Sequence, residues 1–575
     1  MKTITAFLLA ALMLTGCASN TVTEVTTVVT TEATIAAESS SVASEIAVDS
    51  NAGAEYVSRF SSVTAITLSD TGITVDGGEE TDTVYTSHDI VYYQDRDTYD
   101  SGNPYGEGTD ADKHTAEEAD AHTVVNITAP GAYRISGTLS AGQIRVDLGS
   151  DAYEDPDAVV ELILDDADIT CTVAPAIVFL NTYECDGNWS TDTASSDVDT
   201  SGAGANLILE GKNTVSGSYV ARIYKDAEGE KKLWKQDGAI YSYMSLNVYG
   251  PGSLDLTADN EGLDTELHLT IQGGEIAIRS GNDGINTNED GVSVTTINGG
   301  SVHIIAGLGV EGDGIDSNGY LVINGGTVVS AGNPASDAGL DSDLGSYING
   351  GTVIALGSTM DWAESDSEQV TMNLQFASYQ SSGSAIVVTK ADGTVIFAYD
   401  PSEDEVLGEN VRRFQGAVLS CPGLTQGETY AVYLDGTLTG EETGGMYTSV
   451  IAYEGGTQMA YIGTDVRGGL GGRGGMGPGG DMSQGGKWGN GERPDFSKGE
   501  VPTLPEGETL PEGGFGGQRR EDREGFDGEK PERSDGESMP EGGPSAPSGA
   551  DTTGEASTEF YMTDKVNAFS GVSAL

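Results

Sequence analysis

Four glycine pairs, Gly273-Gly274, Gly299-Gly300, Gly325-Gly326 and Gly350-Gly351, stand 26, 26 and 25 residues apart, and Pro251-Gly252 precedes the first by 22. Aligning the chain on these turns lines up four apolar columns. Before the turn run Leu246, Leu269, Thr295, Leu321 and Ser346, then Val248, Ile271, Ile297, Ile323 and Ile348. After it run Leu254, Ile276, Val302, Val328 and Val353, then Leu256, Ile278, Ile304, Ser330 and Ala355. Alternation with period two inside each copy, and a longer period of about 25 residues between copies, is the pattern of a parallel β-helix. Inward residues of one coil then stack on those of the next at ~4.8 Å, so five coils rise roughly 24 Å. A β-sandwich predicts hairpins instead of columns kept through successive units. Paired glycines suit the turns between faces, because glycine adopts conformations closed to other residues.

The flanks have a different character. Lys2, the apolar run Ile4 to Leu14 and Leu14-Thr15-Gly16-Cys17 read as an export signal ending in a sequence that resembles a bacterial lipobox. Residues 1–17 are then a lipoprotein signal peptide, Cys17 the site of lipid attachment, and the extracellular face of the bacterial cell membrane the expected location. Two acyl chains on Cys17 suffice for stable anchoring. Residues 18–55, rich in Thr, Ser, Ala, Val and Glu, read as a disordered tether. Between Val466 and Ala550 there are 25 Gly and 9 Pro, a composition that buries no core, so 466–559 is expected to be a low-complexity tail. From Phe560 the chain turns apolar again, and 560–575 is expected to return as a strand. Segment 366–465 is expected to be a β-rich cap, with a hairpin at Ala391-Asp392-Gly393-Thr394 between Ile386–Thr389 and Val395–Tyr399. The fold class is therefore all-β, a parallel β-helix over 56–365 whose clearest coils lie in 237–357, followed by this cap and flanked by disordered tails.

Charge narrows the function. The chain carries 27 Lys+Arg against 91 Asp+Glu, a net charge of −64, which excludes unaided binding to nucleic acid or an anionic membrane surface. No CxxC or HExxH pattern occurs and the five His are scattered, so zinc chemistry is not expected. Beyond Cys17 the cysteines are Cys171, Cys185 and Cys421; the first two lie close enough in sequence to pair outside the cell.

The same alignment stacks acids on the outside of the coils. One column holds Asp264, Asn286, Asp316 and Asp341, and another, two residues on, Glu266, Asn288, Asn318 and Asp343. A third, at the start of each unit, holds Asp237, Glu261, Asp283 and Asp313. Unneutralised carboxylates at such spacing repel by roughly 1–4 kcal/mol per neighbouring pair, depending on the local dielectric. Hard oxygen ligands without nitrogen or sulfur call for Ca²⁺. The bland alternative is that Asp, Asn, Ser and Thr hold turns through side-chain hydrogen bonds to backbone.

Val159 to Ile163, Gln236-Asp237-Gly238-Ala239-Ile240-Tyr241-Ser242 and the later Asp-Gly-Ile-Asp-Ser and Ile-Asn-Gly-Gly-Thr units carry a resemblance. They are similar to a clostridial carbohydrate-binding-domain family of right-handed parallel β-helices, related in fold to pectate lyases. Gly131 to Leu139 resembles its N-terminal portion, and Ala417 to Ser420 with Gly427 to Tyr430 its C-terminal part, so roughly 60–465 is covered. The resemblance implies extracellular binding of cellulose or of acidic sugars such as polygalacturonate, with calcium on the coil. Carried over by position, its ligands are Asp237, Glu261, Asp264, Asp283, Asn286, Asp313, Asp316, Asn318, Asp341 and Asp343. The third coil departs from the pattern through Asn286, Asn288 and an insertion at Glu289 to Val292, and the fourth is preceded by the extra Ala306 to Gly312.

Binding without turnover is the expectation. A lyase needs a Lys or Arg base near calcium. From Asp237 to Gly357 there are sixteen acids and one such side chain, Arg279, with Lys235 just outside the first coil. Both read as solvated surface charges, and no catalytic residue is singled out. Tyr219, Tyr224, Trp234, Tyr241, Tyr243 and Tyr249 are candidates for stacking on sugar rings. A calcium-dependent polysaccharide lyase and a calcium-rigidified surface adhesin are the alternatives.

Overall fold

The computed structural model describes residues 44–46, 56–94, 109–187, 190–191, 193–224, 232–358, 361–406, 408–410, 412–465 and 555–575. Cys17, the leader, most of the 18–55 stretch and the Gly/Pro-rich segment lie outside these residues. So do the side chains of Tyr224 and Trp234.

The described chain is almost entirely β. Its centre is three sets of parallel strands. In the first, Gly142–Asp147, Ile177–Asn181, Gly238–Ser242, Glu261–Thr265, Ile285–Thr287, Ile315–Ser317 and Leu340–Ser342 pair in turn. The second runs through Ala205–Glu210, Leu246–Tyr249, Leu269–Ile271, Val294–Ile297, Tyr320–Ile323 and Gly345–Ile348. The third joins Lys212–Gly217, Ser253–Ala258, Glu275–Ser280, Ser301–Ile305, Thr327–Ala331 and Thr352–Gly357. Each segment between glycine turns contributes one strand to every set, so residues about 25 positions apart become hydrogen-bonded neighbours.

The registers explain why the apolar columns exist. Leu246, Leu269, Thr295, Leu321 and Ser346 are successive partners, as are Leu256, Ile278, Ile304, Ser330 and Ala355, and all are buried. The polar members of these columns are satisfied inside. Thr295 shares a 3.2 Å hydrogen bond with Thr287, Ser346 one of 2.9 Å with Ser342, and Ser330 donates to the Gly339 carbonyl at 2.7 Å. The second glycine of each pair has a concrete reason to be glycine. Gly300 and Gly326 both have positive φ, and a Cβ on either would lie 2.6 Å from the carbonyl oxygen of the equivalent glycine one turn earlier.

The parallel order ends at Thr352–Gly357, which pairs antiparallel with Phe414–Ser420. Beyond it lies a second apolar core built by Met372, Leu374, Phe376, Phe397, Tyr399, Leu419 and Tyr430. Ile386–Lys390 and Val395–Tyr399 form an antiparallel hairpin within it. Two distant segments complete this region. Val566–Ala574 pairs parallel with Thr371–Gln380, and Phe560, Met562, Phe569 and Val572 enter the second core. Ser44–Glu45 pairs antiparallel with Met446–Glu454, and Ile46 is buried against it. A disordered tether over 18–55 therefore does not extend to these three residues, because Ile46 has an apolar cluster to join.

The three cysteines in the folded region are free thiols, so Cys171 and Cys185, though close enough in sequence to pair, are not bridged. Cys171 is sealed in the main core at the end of Val160–Cys171, whereas Cys185 lies beside Glu184 and the Asp199 carbonyl.

Candidate metal centre

The acids that line the first strand set are not a solvated outer face. Glu261, Asp264, Asp283 and Asn286 are buried, Asp313, Asp316, Asn318 and Asp341 half-buried, and only Asp343 is exposed. At the start of the column the repeat is supplemented by a residue from outside it. Lys232–Gln236 forms an irregular antiparallel pair with Val220–Tyr224 and delivers Lys235 over the start of the column. Lys235, expected as a solvated charge, is 3% exposed.

Registers place Asp264, Asn286, Asp316 and Asp341 as successive partners. The third column needs a shift of one residue, since Gly238 and not Asp237 pairs with Glu261. Asp237 nonetheless reaches the cluster. Carboxylate oxygens of Asp237, Glu261 and Asp264 lie within 4.8 Å of one another, the one such acidic grouping among the described residues. Lys235 Nζ is 2.7 Å from Asp237 Oδ2 and donates to Asn288 Oδ1 at 2.5 Å. Asn288 Nδ2 in turn donates to Asp264 Oδ1. Three buried oxygens here, Glu261 Oε2, Asp264 Oδ2 and Asn286 Oδ1, have no hydrogen-bond partner. An unpaired buried acceptor costs about 1–3 kcal/mol, and more when charged.

Burial pushes the carboxyls of Glu261, Asp264, Asp283 and Asp316 above the usual carboxylate range; facing acids add to this at Asp264, Asp283 and Asp316, while the Lys235 ammonium opposes it at Glu261 and Asp264. Asp313 is raised to about 8 by burial and then by Asp341, and Asp343 to about 6 by burial, then Asp290 and Asp341. The set is all oxygen, anionic and short of donors, and it suits a hard cation with 6–8 oxygen ligands. Asp237, Glu261, Asp264 and the Asn286 carbonyl would hold one.

The other predicted ligands have partial employment elsewhere. Asp283 Oδ1 accepts from the Asp313 N–H at 2.7 Å, and Asp313 Oδ1 from the Ala338 N–H at 2.6 Å. These are the turn-holding bonds of the bland alternative. Asn318 Nδ2 donates to the Asn288 carbonyl at 3.0 Å and to Asp290 at 3.3 Å, tying down the Glu289 to Val292 insertion. Arg279 pairs with Asp255 and donates to the Val406 carbonyl, with no bond to the acidic column among the described residues. Tyr241 is fully buried and donates to Glu266, so it offers no face to a sugar. Tyr249 packs tilted against Tyr56 at 4.6 Å, and Tyr243 meets Tyr241 edge to face at 5.0 Å.

Lys235 and Asn288 are the residues of the centre that sequence reasoning left out of its ligand set. A signal existed for Lys235. It stands two positions before Asp237, and in extended chain residues i and i+2 share a face.

Residues 121–395 match a family described as carbohydrate-binding domain-containing protein. A carbohydrate-binding domain-containing protein from Acetivibrio thermocellus is 30% identical over 176 residues, 30% of this chain and 51% of that protein. The chain thus spans about half the length of this curated relative. A solved polysaccharide lyase-like protein from C. thermocellum, studied as a gadolinium derivative, is 21% identical. The comparison covers 50% of this chain and 92% of that one, at a TM-score of 0.29.

Proposed function

We propose that this chain binds polysaccharide without cleaving it, through a right-handed parallel β-helix whose acidic column holds calcium at Asp237, Glu261 and Asp264. The observation that carries the reading is the convergence of three carboxylates within 4.8 Å with buried oxygens left unpartnered. The matched family description supports the carbohydrate side. Net charge −64 opposes any direct approach of a polyanion. Calcium would supply a local positive field at which uronate oxygens bind. Asp237, Glu261 and Asp264 hold the charge, Asn288 orients Asp264, and buried Lys235 ties Asp237 to Asn288. Lipid attachment at Cys17 would display the domain on the extracellular face of the cell membrane.

Affinity electrophoresis tests this reading. Retardation of the protein in gels containing polygalacturonate, lost with EDTA and in Asp264→Asn, is expected; parallel gels with soluble cellulose derivatives distinguish the cellulosic arm. Absence of retardation on every acidic and cellulosic glycan would sink the binding claim.

A second reading, a calcium-dependent lyase, is favoured by one observation, the Lys235 ammonium beside the carboxylates. Its burial and its bond to Asn288 argue against a free base. Unsaturated uronides released from polygalacturonate, and abolished in Lys235→Met, would decide for it.

A further inference from the structure

We propose that Lys235 is a built-in occupant of the cation site, and that its ammonium and a divalent cation compete for the same carboxylates. The inference rests on the calcium reading above and concerns how that site is regulated. Three observations carry it. Lys235 is 3% exposed, which is unusual for a lysine and needs an anionic partner in place of water. Its Nζ occupies one member of the three-carboxylate group, at 2.7 Å from Asp237 Oδ2, and also takes Asn288 Oδ1 at 2.5 Å. Its charge also acts on Glu261 and Asp264, yet Glu261 Oε2, Asp264 Oδ2 and Asn286 Oδ1 have no hydrogen-bond partner, so one ammonium does not satisfy the whole cluster.

With all three carboxylates ionised, as a bound divalent ion would draw on them, the charge arithmetic is −3 from Asp237, Glu261 and Asp264 against +1 from Lys235. A divalent ion that drew on all three carboxylates would need Asp237, and would then lie within a few ångströms of the ammonium. Two cations at that distance repel strongly in a site closed to water. The ion therefore enters as the ammonium leaves.

The lever is structural. Lys235 belongs to neither the 25-residue pattern nor the parallel strand sets; it rides on Lys232–Gln236, whose one strand partner among the described residues is Val220–Tyr224, in irregular register, with Tyr243 donating to the Lys235 carbonyl at 3.1 Å. Movement of that strand breaks no parallel pairing. In the metal-free state the lysine keeps the column folded and partly neutral. In the loaded state the ammonium is released toward solvent, beside the acidic ligand that the site is proposed to take.

Two measurements on the full chain test this. Isothermal titration with CaCl₂ compares wild type with Lys235→Met, and the variant is expected to bind calcium at least tenfold more tightly. Amine labelling with acetic anhydride, read by peptide mass spectrometry, follows Lys235 against the exposed Lys212 and Lys390. In EDTA, Lys235 is expected to label at least tenfold more slowly than those two, and calcium should bring it to within threefold of them. The labelling uses wild type, so it holds even if the variant folds poorly. Calcium binding by wild type with Lys235 labelling unchanged, or with affinity unchanged in Lys235→Met, overturns the competition and leaves the calcium reading intact. Absence of calcium binding by both proteins overturns both.

Discussion

A carboxylate sealed from water can take a proton, meet a lysine or hold a metal ion. Glu261 and Asp264 have access to all three, which makes single substitutions here diagnostic. Glu261→Gln keeps the shape and removes one charge. At pH 8 in EDTA the variant is expected to be more stable than wild type by about 1–3 kcal/mol, since a buried acceptor without a partner is removed with its charge. At pH 5, where Glu261 carries its proton more readily, the gain should shrink, and in saturating calcium it should reverse. Urea melts under the three conditions read this directly. The thiols make a second residue-scale test. Burial pushes Cys171 and Cys421 up to about 11 and Cys185 up to about 12, the last also through Glu184. Native protein at pH 8 should therefore leave all three unmodified by a thiol reagent, whereas unfolding should expose each. Peptide mapping of the labelled cysteines checks it, and rapid native modification of Cys171 or Cys421 would contradict their burial.

At the scale of elements, the glycine turns carry the stacking. Gly300→Ala places a Cβ against a backbone oxygen 2.6 Å away at a φ of +84, with no side chain free to yield. A loss of about 2–4 kcal/mol is expected, larger than the ~1 kcal/mol for positive φ alone. Gly427→Ala is the control, because its φ is +87 and nothing lies within 4 Å of the added carbon. Equal losses at the two positions would refute the close-approach argument. The contrast also shows what could be read before any coordinates. Columns such as Val248 to Ile348 were legible because parallel register converts a sequence period into contact. The arrival of Lys235 at the acids was not, since it comes from Lys232–Gln236, a strand outside the period whose partner lies before residue 225. Asp237 was misplaced by one position for a related reason. Its unit has no preceding glycine pair to fix the alignment, and an extended chain allows a one-residue slip that flips every side chain. The pairing of Ser44–Glu45 and Ile46 could not be anticipated, because three residues carry no periodicity.

For the molecule as a whole, the buried acids set a pH dependence. Each of Glu261, Asp264, Asp283, Asp313 and Asp316 has a folded pKa raised above its unfolded value, so folding takes up protons. The associated stability is fully present below about 4, the unfolded carboxyl range. It is lost as pH rises through the folded values, about 8 for Asp313. Metal-free protein should thus melt at progressively lower temperature between pH 4 and pH 8, and Asp313→Asn should flatten the decline. Calorimetry in EDTA and in calcium tests both, and a melting temperature that rises with pH in EDTA would contradict the assignment.

The last strand has a consequence for how the chain is joined. Gly463–Asp465 pairs with the strand Val566–Ala574, Tyr461 shares two backbone bonds with Ser557, and the rings of Tyr461, Phe560 and Phe569 meet at 4.7–5.0 Å. The described residues on the two sides of segment 466–554, up to Asp465 and from Glu555, are thus neighbours in the fold. The pairing itself is made by residues on either side of it, and the covalent link adds effective concentration, not contacts of that pairing. A peptide of residues 555–575 supplied separately should dock onto a chain ending at 465, with the two pieces behaving as one protein cut in two.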